Sequence, residues 1–263
     1  MTAGTPIGAA PRIPAAARYG VITTDISGLG EVRHLVGGTG AARWKQLVNG
    51  MHQPGGWGCV EYVELPPGAS CGRHLHATRE EIYYILSGTA VMSINGEETP
   101  VTAGEMITCP LGTIHGIGVP ADAGQMMCFF VVEVLPAAAP PLCAPVVVAM
   151  PQQLQDCQGY RGGGHGQDIR AAVVDLTRYL TGPWRRFTLI EVPADDVLGP
   201  YQLAGGVTEV LFVVGGSAEI AAGDAAVKGG AGLCAATSLD AGVTVRNLDG
   251  GRPLLVISTE VAA

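Results

Sequence analysis

Three histidines and one glutamate between positions 74 and 115 carry the most chemistry in this chain. His74 and His76 stand two apart in GASCGRHLHATREEIYYILSG (68–88), a segment with no helical signal, so a β-strand points both imidazoles to one face. Glu81 follows five residues after His76, at the head of the strand-like run EIYYIL that Gly88 ends. His115 comes later, just past a turn at Pro110-Leu-Gly112. Three neutral imidazole nitrogens and one carboxylate are a first-row transition-metal donor set. Four protein donors leave positions open for water, O2 or a chelating substrate, which separates a catalytic site from a closed structural one.

Other side chains lie close enough in sequence to take part. Tyr83 shares strand parity with Glu81 and faces the same interior, to bind substrate or to fill the core. Tyr62 or Glu61, on the preceding strand CVEYVEL, is a further candidate for the cavity wall, with Tyr62 the one assigned to substrate. Arg73 and Arg79 flank the ligands, and Arg73 is the candidate for a substrate carboxylate. Cys71 and Cys109 read as small buried hydrophobes. His34, His52 and His165 fall outside the pattern, and the runs VGGTG (36–40) and GGGHG (162–166) lack the Lys-Ser/Thr of a phosphate loop.

The elements that must hold these groups are strands. The 263 residues include 39 Gly and 18 Pro with only 14% charged residues, a composition that suits an all-β chain rich in turns. A formal charge of −8 and a pI near 5.2 exclude a nucleic-acid partner, and no basic cluster marks a lipid surface. The fifteen basic residues include just two lysines, Lys45 and Lys228. The seven cysteines form no CxxC pair and are odd in number, so reduced thiols and a cytoplasmic location are expected. The longest apolar runs are too short and Pro-rich to span a bilayer, so the mean hydropathy of +0.31 belongs to a buried β core.

The strand pattern occurs twice. Glu81 is followed after six residues by Gly88, and Glu209 after six by Gly216; VELPPG (63–68) matches IEVPAD (190–195). Asn95-Gly96 and Gly223-Asp224 sit at the matching hairpin turns. The shared spacing selects Glu81 over its neighbour Glu80. In the second copy the histidine positions hold Gln202 and Ala204, or Tyr201 and Leu203 by the other count, and His115 falls on Ala241. Two similar β units follow: a flexible arm (1–20), an N-terminal unit with the metal site (21–135), a Pro-rich linker (136–168), and a C-terminal unit without metal (169–263). The one candidate helix is Ala171 to Leu180, and residues 1–57 include a candidate lid.

The first copy resembles the cupin superfamily. Gly68, His74, His76, Glu81 and Gly88 match its first motif, and Gly104, Pro110, Gly112 and His115 its second; Val119 stands where the family has Asn. The resemblance implies two tandem cupin-type jelly-roll barrels (double-stranded β-helix), a bicupin with the metal motif intact only in the first. It also implies one divalent transition metal (Fe, Mn, Ni, Cu, Co or Zn) on His74, His76, Glu81 and His115, with Glu81 also moving protons, and a homodimer or larger assembly. The implied activity is an O2-using dioxygenase acting on a small enolic or carboxylate-bearing substrate. The alternatives are a non-redox Lewis-acid isomerase, cyclase, decarboxylase or hydrolase, and a non-catalytic bicupin that binds a small ligand.

Overall fold

The run EIYYIL lacks polar alternation because its strand is buried on both faces, and this double burial organises the molecule. The structure, a computed structural model, describes residues 21–136, 143–157, 169–237 and 242–263. The expected arm (1–20), part of the expected linker, His165 and Ala241 lie outside the described residues.

In chain order the strands of the first half are β1 (Val21–Thr24), β2 (Gly30–Arg33), β3 (Ala41–Asn49), β4 (Trp57–Leu65), β5 (Ser70–Leu75), β6 (Glu80–Ser87), β7 (Thr89–Ile94), β8 (Glu97–Thr102), β9 (Glu105–Cys109), β10 (Ile114–Gly118), β11 (Met127–Val134) and β12 (Val147–Ala149). The second half adds β13 (Gln155–Asp156), β14 (Arg170–Asp175), β15 (Trp184–Val192), β16 (Val197–Gln202), β17 (Val207–Gly215), β18 (Ser217–Ala222), β19 (Ala225–Gly230), β20 (Cys234–Thr237), β21 (Gly242–Asn247) and β22 (Leu254–Ala262). Among the described residues the remaining regular elements are 3₁₀ turns.

The strands form two seven-stranded and two four-stranded antiparallel sheets. The orders β12-β9-β6-β11-β4-β3-β2 and β1-β20-β17-β22-β15-β14-β13 correspond strand for strand, as do β5-β10-β7-β8 and β16-β21-β18-β19. One large and one small sheet enclose each jelly-roll barrel, so the chain is all-β with two tandem barrels. Each barrel has its own core, containing Tyr83, Ile107 and Phe129 in the first and Ile190, Leu211 and Val256 in the second. The two large sheets then pack on each other through a third core, in which Tyr62, Tyr84 and Phe130 meet Phe187 and Phe212. Ring centroids there approach to 4.7 Å for Phe130–Phe212 and 5.7 Å for Tyr84–Phe187. Each fully buried Phe contributes about 1.5–3 kcal/mol over an exposed one, and the aromatic pairs add to that.

Three expectations about organisation change. β1, expected in the N-terminal unit, pairs with β20 at the edge of the C-terminal sheet. β12, expected in the linker, pairs with β9 at the corresponding edge of the first sheet. Both additions cover backbone that an edge strand would leave unpaired. The candidate helix at Ala171 is instead β14, because Ala171, Ala172 and Val174 bury against neighbouring strands. Only Leu176–Arg178 turns helically, with the Asp175 carboxylate accepting from Thr177 N at 3.1 Å.

Candidate metal centre

Strand pairing converts the sequence spacing into one cluster. β5 and β10 pair with His74 opposite His115, then shift so that Cys71 lies opposite Ile117. This bulge aims both Cys71 and His74 into the first barrel, although they are three residues apart. β6 brings Glu81 from the large sheet. One donor atom from each of His74, His76, Glu81 and His115 lies within 4.8 Å of the others. His74 Nε2 is 2.9 Å from His76 Nε2, and Glu81 Oε2 is 2.7 Å from His115 Nε2 and 3.6 Å from His76 Nε2.

The donor set fits a metal ion. Bonds of about 2.1 Å place neighbouring donors about 3.0–3.4 Å apart, and the four atoms straddle that range. His74 Nδ1 lies 2.9 Å from the carbonyl oxygen of Gly72, so it carries the proton and leaves the Nε2 lone pair facing the cluster. Glu81 Oε2 is buried without a hydrogen bond, an unsatisfied acceptor that a cation would complete. Burial raises the Glu81 carboxyl to about 8, against the opposing pull of His76, and lowers the His115 imidazole to about 4. Burial also lowers His76. The lowered imidazoles stand neutral with a lone pair free to ligate, and a divalent ion would displace the proton that burial keeps on Glu81.

A cavity of about 60 Å3 opens beside the cluster, several times the ~10–15 Å3 that one water occupies. Its wall includes His74, Glu81, Tyr83, Glu61, Glu133 and Phe129, with Leu35 and Val36 at one side. Leu35 and Val36 come from the segment that residues 1–57 were expected to supply as a cover. That segment lies hard against β5: a Cβ on Gly38 would stand 2.0 Å from Ser70 O, and one on Gly72 2.3 Å from Val36 O.

Tyr83 is fully buried with its hydroxyl 3.1 Å from His115 Nε2, and burial holds its phenol well above the usual range. It both fills the core and faces the cavity. Tyr62 does not line the cavity. It points from the other face of β4 into the core between the barrels, with its hydroxyl 3.2 Å from Glu64 Oε1. Glu61, one residue away and of opposite parity, takes the place expected for Tyr62. Arg73 is likewise displaced: the alternation that points His74 and His76 inward puts it on the exposed face, over Gly116. Arg79 is the arginine at the rim, paired with Glu133. Cys71 and Cys109 are buried thiols raised by desolvation, to about 12 for Cys71. His34 is exposed on the segment beside Val36, its Nδ1 3.1 Å from Gly38 O, and His52 ends the Gly50–His52 turn.

Sequence reasoning missed Glu133 and Cys59. Cys59 Sγ lies 3.4 Å from Glu61 Oε1 and 3.2 Å from Glu133 Oε2, and Glu133 is paired with Glu81 across β11 and β6. Glu80 was seen only as a rival ligand. It is fully buried and receives hydrogen bonds from Thr181, Gly182 and Trp184 of the second half. In the second barrel Tyr201 pairs with Val243 as His74 does with His115, so the register supports the Tyr201 count and puts Val243 at the His115 position. Glu209 is retained there, accepting from the Tyr201 hydroxyl at 2.9 Å.

Residues 61–132 match the cupin domain family. Over 55 residues the chain is 44% identical to the oxalate-binding protein of Thermotoga maritima, covering 21% of this chain and 46% of that relative. Over 84 residues it is 29% identical to a tetracenomycin polyketide synthase protein of Streptomyces glaucescens, covering 32% and 54%. The chain thus spans about half the length of these curated relatives. Among solved structures, the oxalate decarboxylase of Lactobacillus farciminis in a formate complex superposes with a TM-score of 0.65 at 13% identity, covering 95% of this chain and 91% of that one. The Bacillus subtilis oxalate decarboxylase gives 0.64 at 14% identity, covering 91% and 78%. Residues 61–132 of the first barrel carry the cupin-domain match, and the chain as a whole shares the two-barrel fold of these solved structures.

Proposed function

We propose that the first barrel binds one divalent transition metal through His74, His76, Glu81 and His115 and uses it in non-redox chemistry on a small oxygen-bearing molecule. The observation that carries this reading is the convergence of three imidazole Nε2 atoms on the unsatisfied, buried Glu81 Oε2 beside a cavity. A divalent ion held there supplies Lewis acidity that polarises a bound carbonyl or carboxylate oxygen. The protein supplies the proton handling. Tyr83 keeps its hydroxyl proton and offers it beside His115. Burial raises the Glu61 carboxyl at the cavity wall, so it can hold and release a proton nearer neutrality. Decarboxylation and isomerisation both need a proton delivered to carbon or oxygen, and these groups favour the Lewis-acid alternative over the dioxygenase expectation. The neighbours named as oxalate decarboxylases point the same way. Manganese, named for the centres of the Bacillus subtilis neighbour, is the first metal to test.

Cys59, Cys71, Cys109 and Cys234 are buried thiols, which supports a reducing, cytoplasmic setting. Among the described residues no helix is long and apolar enough to cross a membrane. The deciding experiment is metal analysis of purified protein followed by turnover of 2-oxo and 2-hydroxy acids with and without oxygen. Equal anaerobic and aerobic turnover is expected; stoichiometric O2 consumption would restore the dioxygenase reading.

A further inference from the structure

The cavity beside the four-donor cluster is lined by three carboxylates, Glu61, Glu81 and Glu133, and by no lysine or arginine. One cation reaches the wall from outside, the half-exposed Arg79 paired with Glu133, while Arg73 is turned to the outer face. Cys59 lies within reach of both Glu61 and Glu133. A thiol has one hydrogen, so it satisfies one of the two at a time, whereas the two carboxyl groups together offer several acceptor lone pairs. Trp44 adds one hydrogen bond to Glu61. Together the two wall carboxylates present more acceptor capacity than the chain's own donors fill.

We infer that Glu61 and Glu133 set substrate specificity: they accept a small molecule with a chelating oxygen end for the His/Glu cluster and a hydroxyl or amine donor at its far end. They exclude a molecule whose far end is a second carboxylate. This rests on the metal reading above and deepens it by naming the substrate class. A donor reaching Glu61 replaces water in a site that water leaves at a cost, and a carboxylate there meets the like charge of two carboxylates against the single cation Arg79.

The test uses the full chain loaded with Mn(II) and three 2-hydroxy acids that share one chelating end. Lactate ends in a methyl group, glycerate in a hydroxymethyl donor and tartronate in a second carboxylate. Calorimetric titration is expected to give glycerate about 10-fold tighter than lactate, and tartronate about 10-fold or more weaker than glycerate. In Glu61→Gln, with metal content equal to the parent, the tartronate penalty shrinks by about 10-fold. Glu133→Gln shifts the same ratio in the same direction. Tartronate binding as tightly as glycerate, or ratios unmoved in both variants, overturns the specificity inference alone. A chain that retains no Mn(II), or lactate binding unchanged after the metal is stripped, overturns the metal reading and this inference with it.

Discussion

Glu80→Ala tests the claim that the second barrel holds the strand carrying Glu81. Glu80 is fully buried and faces away from the cavity. Its Oε1 accepts from Thr181 N at 3.0 Å and Thr181 Oγ1 at 2.7 Å, and its Oε2 from Gly182 N at 2.7 Å and Trp184 Nε1 at 2.9 Å. Hydrogen bonds to a charged group contribute about 1.5–3 kcal/mol each, but removing one shared acceptor is not additive over its donors. The fully buried Trp184 N–H is left unsatisfied outright, while the half-buried Thr181 can recruit water. A net loss of about 3–5 kcal/mol follows, in line with breaking a buried charge network by removing one partner. Glu80→Gln keeps shape and one acceptor and is expected to lose about half as much, and Trp184→Phe about 1–2 kcal/mol. Urea unfolding with unchanged slope reads these as shifts in midpoint, and the Glu80–Trp184 double-mutant cycle isolates their coupling. A Glu80→Ala loss under about 1 kcal/mol would refute the argument that this buried carboxylate joins the barrels.

His76→Ala and His115→Ala are expected to abolish metal retention by elemental analysis while far-UV circular dichroism stays that of the parent; metal content equal to the parent's would remove the site assignment. His165→Ala is expected to change neither measurement. The metal-free protein has an opposed pair of titrations. Glu81, raised to about 8, contributes stability that is full below its unfolded value and lost as pH rises through 8; His115, lowered to about 4, contributes stability lost as pH falls from its ordinary value of 6.5 through 4. Above pH 6.5 only the Glu81 effect remains, so the melting temperature of the stripped protein is expected to fall between pH 6.5 and 8, and metal binding at pH 7 to release about one proton in calorimetry across buffers. Gly88→Ala is expected to cost about 2 kcal/mol and more than Gly216→Ala, because at similar positive φ its Cβ would meet backbone at 2.7 Å against 3.2 Å; equal midpoints in urea would contradict this.

What could be read in advance was what depends on residue type and fixed spacing. His74, His76, Glu81 and His115 were identifiable because donor chemistry and strand parity act within a few residues. The errors at Arg73 and Tyr62 have different causes: the parity that turns His74 and His76 inward already turns Arg73 outward, whereas the facing of β4 depends on partners distant in sequence. The bulge opposite Gly116 reverses the parity of Cys71, and double burial of β4 hides whether Glu61 or Tyr62 looks inward. Extending the repeat six residues upstream would have exposed another signal. VELPPG and IEVPAD each follow a tryptophan by the same interval, Trp57 and Trp184. Their indole N–H groups cross between barrels in reciprocal fashion, Trp184 to Glu80 and Trp57 to Thr208 Oγ1 at 2.8 Å. Thr208 precedes Glu209 as Glu80 precedes Glu81, so each barrel fastens the residue next to the other's cluster glutamate. Only the first of these attachments uses a carboxylate, and only the first adjoins a three-histidine cluster. The second barrel therefore fastens β6, the strand that carries Glu81, while its own histidine positions hold Tyr201, Leu203 and Val243.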